Sequence, residues 1–177
     1  DPTLALPDLA AIRAAHEHRW DLPVECIRFM DAEFSSDWWA MLYAAWTWLR
    51  WRAGHPTDAP YRWHRRVLQL LQYGHGDARR WLLKSPAHLG NLDRLLRQYP
   101  DIRIVHTHRD PVRSVPSTVS LSTLMRTSRA NGVDANLLGQ MVVMGYGAML
   151  RKVIEERGGG VIPPGQITDV HFQDLMK

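Results

Sequence analysis

Between Arg80 and Met125 one arrangement occurs twice: an apolar run, a basic residue, a polar cap, a proline and then apolar residues at helical spacing. The first copy opens with Arg80–Lys84 (RWLLK), an apolar run suited to a buried strand, followed by Ser85 as a helix cap and Pro86 at the first helical position. Leu89, Leu92, Leu95, Leu96 and Tyr99 then recur at intervals of three and four, one apolar stripe that YPD at 99–101 ends. The second copy opens with IRIVHTH at 102–108, whose Ile and Val suit a strand, and Asp110 and Pro111 repeat the cap and start before a helix towards Met125. Pro116 disturbs that helix, because it has no N–H to bond the carbonyl of Val112. Strand, helix, strand, helix in so short a span predicts an α/β fold, a parallel sheet with flanking helices.

A parallel sheet has a consequence for chemistry. Lys84 and Arg109 each fall at the carboxyl end of an expected strand and just before a helix N-terminus, so both cations are expected at one sheet edge, where open α/β sheets bind ligands. Backbone N–H groups at the two helix starts add to the positive potential, and phosphate or sulfate esters are the natural guests. Ser117 shares a helix face with Asp110 and Ser114, which lets its hydroxyl and the Arg109 guanidinium hold one phosphate. Lys84 also stands out because 19 of the 22 basic residues are Arg. The plain alternatives are a surface charge at Lys84 and incidental serines on a capped helix.

With 177 residues, 45% of them hydrophobic, the chain can bury one sizeable core, so residues 1–177 read as a single domain. A helical layer is expected over about 1–75, the βαβα part over about 79–130, and a helix and terminal strand over about 134–177. In the first layer, Leu6–Trp20 and the stretch from Trp38 to Ala53 have helical spacing, a further helix follows Pro60, and Glu25–Phe34 is ambiguous. All eight Trp lie between positions 20 and 81, and packing explains them better than an aromatic binding surface does. A net charge of +4, dispersed along the chain, requires no nucleic acid, and YRWHRR at 61–66 is the one candidate for base stacking. Cys26 has no partner for a disulfide. With no signal-like N-terminus and no stretch of membrane-spanning length expected, the default location is cytoplasmic. A homo-oligomer is compatible with the sequence.

KSPAHLGNLDRLLRQYPDIRIVHTHRDPVRSVPS, from Lys84 to Ser117, resembles the sulfotransferases that use 3′-phosphoadenosine 5′-phosphosulfate (PAPS), above all the bacterial branch in which a K-S-P-x-H segment precedes an H-R-D-P segment. PYRWHRRVLQLLQ at 60–72 and TDVHFQDL at 168–175 fit the same branch. The resemblance implies a P-loop nucleotide-hydrolase-like sulfotransferase fold and transfer of a sulfuryl group from PAPS to a small-molecule acceptor bearing a hydroxyl or amine. It assigns Arg109 and Ser117 to the 3′-phosphate of PAPS, Lys84 to the neighbourhood of the transferred group and Phe172 to the adenine. One element of the family is not found: a loop of Lys or Arg, then Ser, Gly, Thr, Thr, for the 5′-phosphosulfate. RGGGVIPPGQ at 157–166 follows a helical segment and lacks the hydroxyls, so it reads as a connector. The chain, which opens at Asp1, is therefore expected to be a fragment or a degenerate member.

In such a reaction a base takes the acceptor proton while cations face the oxygens where charge develops. Lys84 suits the second task, His88 in the first turn after it is the expected base, and Glu25 is the reserve. No metal is expected. Two other readings compete. HTHRDP at 106–111 comes close to the zinc pattern H-x-H-x-D-H, with His106 and His108 as ligands, but Pro111 cannot ligate; HEH at 16–18 has its two histidines on different helix faces. The other alternative is an α/β module that binds a nucleotide or a partner without catalysis.

Overall fold

The computed structural model describes residues 22–76 and 80–177. The helix expected over Leu6–Trp20, with HEH at 16–18, lies outside the described residues. The ambiguous stretch is a 3-10 helix, Cys26–Glu33, which buries Cys26, Ile27 and Met30. It ends at Phe34, whose left-handed φ of 50° turns its N–H back to the carbonyls of Asp31 and Met30.

The single helix expected from Trp38 to Ala53 is two helices, α1 (Asp37–Leu42) and α2 (Trp46–Gly54). Ser36 starts α1: its buried hydroxyl accepts the Trp38 N–H (3.1 Å) and donates to the Ile27 carbonyl (2.8 Å). Arg126, distant in sequence and buried, accounts for the break. Its guanidinium donates to the carbonyls of Ala40 (2.6 Å) and Met41 (3.3 Å) and lies over the Trp46 ring, 5.0 Å from the centroid. Those two carbonyls would serve the N–H groups of Ala44 and Ala45 in a continuous helix. A cation at a helix C-terminus is favourable, so the guanidinium ends α1 where the apolar spacing alone would continue it.

Helix α3 (Ala59–His75) starts with Pro60 in its first turn and ends at Gly76, whose φ of 68° suits glycine. Pro60, Tyr61, His64 and Leu68 form its buried face at helical spacing.

Residues 80–84 do not form the strand expected of them. They pair with no strand among the described residues; the Lys84 carbonyl instead accepts the Cys26 N–H at 3.0 Å. The expected cap is present, with the Ser85 hydroxyl accepting the Ala87 N–H at 3.3 Å, and the turns that follow are a 3-10 helix (Pro86–Asn91) leading into α4 (Leu92–Gln98).

The strand expected at 102–108 is β1 (Ile104–His108), followed by α5 (Pro111–Thr127) with Asp110 as its cap and Pro116 inside it. Helix α6 (Ala135–Gly158) packs on α5 and leads through a glycine- and proline-rich connector to β2 (Ile167–His171), which ends in a last 3-10 helix, Phe172–Met176. Strands β1 and β2 pair in parallel, Ile104 with Ile167 through His108 with His171. The fold is thus α/β as expected, but the parallel partner of β1 comes from the C-terminal end of the chain and not from residues 80–84.

Side chains alternate along β1, so Ile104, His106 and His108 share one face while Val105 and Thr107 point to the other. Ile104 and Ile167 lie against a core of Met30, Tyr61, Leu92, Leu95, Leu96, Val153 and Ile162. The connector is held where it meets β2: Arg103 donates to the Gly165 carbonyl (2.8 Å), and Gln166 donates to the Pro100 carbonyl (2.6 Å). Gly160 and Gly165, at φ 71° and 78°, take conformations that a side chain would strain. RGGGVIPPGQ is therefore the connector expected from its composition.

Against the expectation that no stretch has spanning length, α6, at 24 residues, is by length and composition long and apolar enough to cross a membrane. In this fold it packs on α4 and α5, buries Leu138, Val153 and Glu156, and Lys152 near its end bonds the Gly90 carbonyl (2.8 Å) and Asp93 (3.0 Å).

Candidate active site

Parallel pairing brings the ends of β1 and β2 to one edge. One residue past each strand, the Arg109 guanidinium lies over the Phe172 ring, 4.9 Å from its centroid. Asp110 accepts the Val112 N–H (2.9 Å) and its backbone carbonyl accepts from the Arg113 and Ser114 N–H groups. With the start of α5 capped by its own carboxylate, positive potential for an anion rests on Arg109 more than on the helix terminus. Ser117 is exposed on α5, two turns beyond the cap.

A second pair of expected site residues meets directly. Lys84 and Glu25 form an ion pair through Nζ and Oε1, with the lysine 73% exposed and the glutamate 26%. Adjacent to Glu25, Cys26 gives its N–H to the Lys84 carbonyl, so backbone and side chains both join these segments.

His88 is turned inward. Its Nδ1 is 3.1 Å from the Tyr61 hydroxyl, and its ring meets that of His64 edge-on at 5.8 Å. His64 in turn has Nδ1 2.7 Å from the Tyr99 hydroxyl. Burial pushes both imidazoles down to about 4, with His64 adding to the effect on His88, so both are neutral at neutral pH. Burial also pushes the Cys26 thiol up to about 11, and raises the Tyr61 and Tyr99 phenols. With Tyr61 and His64 buried, YRWHRR offers no stacking platform; Trp63 donates to the Phe29 carbonyl at 2.8 Å instead.

His106 and His108 share a strand face, their ring centroids 4.1 Å apart. Across the register, Asp169 accepts from His108 Nε2 at 2.7 Å and receives two guanidinium bonds from Arg157, at 2.7 and 2.8 Å. The arginine and the imidazole hold the Asp169 carboxyl well below the usual carboxylate range. His106, His108 and Asp169 offer ligand atoms within 4.8 Å of one another, but Arg157 already holds the carboxylate and would compete with a metal for it.

The model of the sulfotransferase family matches residues 4–177, nearly the whole chain. The chain belongs to the sulfotransferase family. Among curated proteins, the omega-hydroxy-beta-dihydromenaquinone-9 sulfotransferase Stf3 of Mycobacterium tuberculosis and that of Mycobacterium bovis are each 28% identical to it over 116 residues, 64% of this chain. The match spans 29% of the length of those relatives. No solved structure matches.

Within this member of the family, the residues selected from sequence fall into three places: Arg109 with Phe172 at the sheet edge, Lys84 with Glu25 beside the first 3-10 helix, and His88 inside the fold. Sequence reasoning missed Tyr61, His64, Tyr99, Arg157 and Asp169. The spacing of Tyr61 and His64, three apart on one helix face, was the available signal. Tyr99 and the Arg157–Asp169 pair depend on contacts between distant segments, which leave no local pattern.

Proposed function

We propose that this chain carries the donor-binding and catalytic groups for transfer of a sulfuryl group from PAPS to an acceptor hydroxyl or amine, on a P-loop-like sulfotransferase fold. The observation that carries this reading is the Arg109–Phe172 stack at the carboxyl ends of two parallel strands, beside a helix bearing Ser117. Arg109 and Ser117 bind the 3′-phosphate, the guanidinium supplying two parallel donors and the hydroxyl a third. Phe172 offers a flat apolar surface to the adenine and holds the guanidinium in plane against it.

In the reaction, the acceptor oxygen or nitrogen forms a bond to sulfur as the bond from sulfur to the bridging phosphate oxygen breaks, leaving adenosine 3′,5′-bisphosphate. Lys84 faces the oxygens on which charge grows. Glu25 takes the acceptor proton; it is partly exposed beside Lys84, whereas His88 is enclosed by Tyr61 and His64. The relatives' name describes an omega-hydroxy-dihydromenaquinone acceptor. For this chain an apolar alcohol is the acceptor class we favour, supported by a groove of about 690 Å³ between α5 and α6, lined by Val115, Pro116, Val119, Leu124, Gly139 and Val143.

Titration with adenosine 3′,5′-bisphosphate tests the donor site. Saturable binding that Arg109→Ala weakens at least tenfold supports it, and binding indifferent to Arg109 overturns it. Incubation with PAPS and a long-chain alcohol tests turnover; saturable binding without turnover is the behaviour of a non-catalytic nucleotide module.

A further inference from the structure

The buried cluster around His88 is unused by the proposed chemistry. Three elements meet there: the 3-10 helix that begins at Cys26, α3 with His64, and the 3-10 helix with His88. The Cys26 Sγ and one ring nitrogen from each histidine lie within 4.8 Å of one another. His64 is fully buried, and its Nε2 has no hydrogen-bond partner; the Nε2 of His88 is likewise buried without one. Each histidine instead engages a tyrosine hydroxyl through Nδ1.

That division of labour is what a metal-binding imidazole requires. A phenol oxygen that accepts Nδ1–H fixes the tautomer with the lone pair on Nε2, and in metal sites the second ring nitrogen is held by such an outer partner. Two buried ring nitrogens without a hydrogen-bond partner are costly, and a metal ion bound by their lone pairs removes that cost. The cysteine is the soft third ligand.

We propose that Cys26, His64 and His88 bind one divalent ion of the zinc class through Sγ and the two Nε2 atoms. Tetrahedral bonds of about 2.0–2.3 Å place ligand atoms roughly 3.5 Å apart, so the ion draws the three side chains inward by up to about an ångström. On binding, the sulfur–metal bond forms as the S–H bond gives its proton to solvent; the imidazoles lose none. Water completes the fourth position. The ion fastens together three segments distant in sequence and fixes Cys26, which adjoins Glu25 and bonds the Lys84 carbonyl. The site thus positions the Glu25–Lys84 pair, and it rests on geometry independent of sulfuryl transfer.

The test uses the whole chain, stripped with a chelator and titrated with zinc chloride or cobalt chloride. One equivalent of zinc should survive dialysis, and cobalt should give tetrahedral visible bands with a thiolate charge-transfer band in the near ultraviolet. Cys26 is the only cysteine, so that band reports on it alone. Cys26→Ser should remove the band and weaken zinc binding at least tenfold. Tyr99→Phe, which leaves the ligands in place, should weaken it by about 10–100-fold. Failure of the native chain to retain zinc, or cobalt spectra without a thiolate band, overturns the proposal whether or not the variants fold.

Discussion

The Arg109 guanidinium lies over the Phe172 ring, 4.9 Å from its centroid, although 62 residues lie between the two in sequence. The stack exists because β1 and β2 pair in parallel with His108 opposite His171, so the next residue of each strand leaves the sheet at the same edge. Arg109→Ala should therefore lower affinity for adenosine 3′,5′-bisphosphate at least tenfold by calorimetric titration. Arg109→Lys should recover little, since an ammonium neither stacks flat nor binds a phosphate with a fork. Phe172→Ala should cost several-fold, in line with about 0.5–1 kcal/mol for an exposed cation–aromatic contact.

Lys84 and Glu25 separate catalysis from stability. Their ion pair is largely solvated on the lysine side, so breaking it should change folding free energy by no more than about 1 kcal/mol in urea melts. If they serve the transferred group and the acceptor proton, PAPS turnover should fall by about 10²–10³ in Lys84→Ala and by about 10²–10⁴ in Glu25→Gln. Equal loss of stability and activity would assign the pair a structural role instead.

Arg126 closes the end of α1, and its effect should appear in stability. Arg126→Met keeps the apolar stem over Trp46 but leaves the Ala40 and Met41 carbonyls without their donors. A loss of about 1–3 kcal/mol in urea unfolding is expected, with nucleotide affinity unchanged.

Asp169 should contribute an acid-sensitive share of stability. Its folded carboxyl is depressed by Arg157 and His108 below its unfolded value, so the stabilisation is complete above the unfolded value and disappears as pH falls through the folded one. Urea midpoints should fall between about pH 5 and pH 2, and Asp169→Asn should flatten part of that fall. An unchanged acid profile in Asp169→Asn would show that the ion pair is too well screened to matter.

The sequence conveyed local structure well and distant pairing poorly. Ser85–Pro86 and Asp110–Pro111 mark helix starts because cap chemistry acts within three residues, and the structure has a helical start after each. The Arg80–Lys84 strand failed because apolar composition says that a segment is suited to a sheet but not which segment will pair with it. The continuous Trp38–Ala53 helix failed for a related reason: Arg126, remote in sequence, takes the carbonyls that would have continued it. For the site, Arg109 and Phe172 were each selected separately, while their stacking became evident only from the strand register. His88 was chosen for its position beside Lys84, and its actual neighbours, Tyr61 and His64, come from another helix.

The β1–β2 ladder also bears on how the chain reaches its native state. Its two strands are separated by α5, α6 and the connector, so closing the ladder requires a long loop whose entropy is lost before any strand contact forms. Helices α5 and α6 contact one another and depend on nearer residues, which favours their formation ahead of the sheet. The edge proposed to bind the donor, made from the ends of both strands, is then assembled among the last parts of the molecule. Folding followed by Phe172-dependent nucleotide binding should lag behind the gain of helical signal.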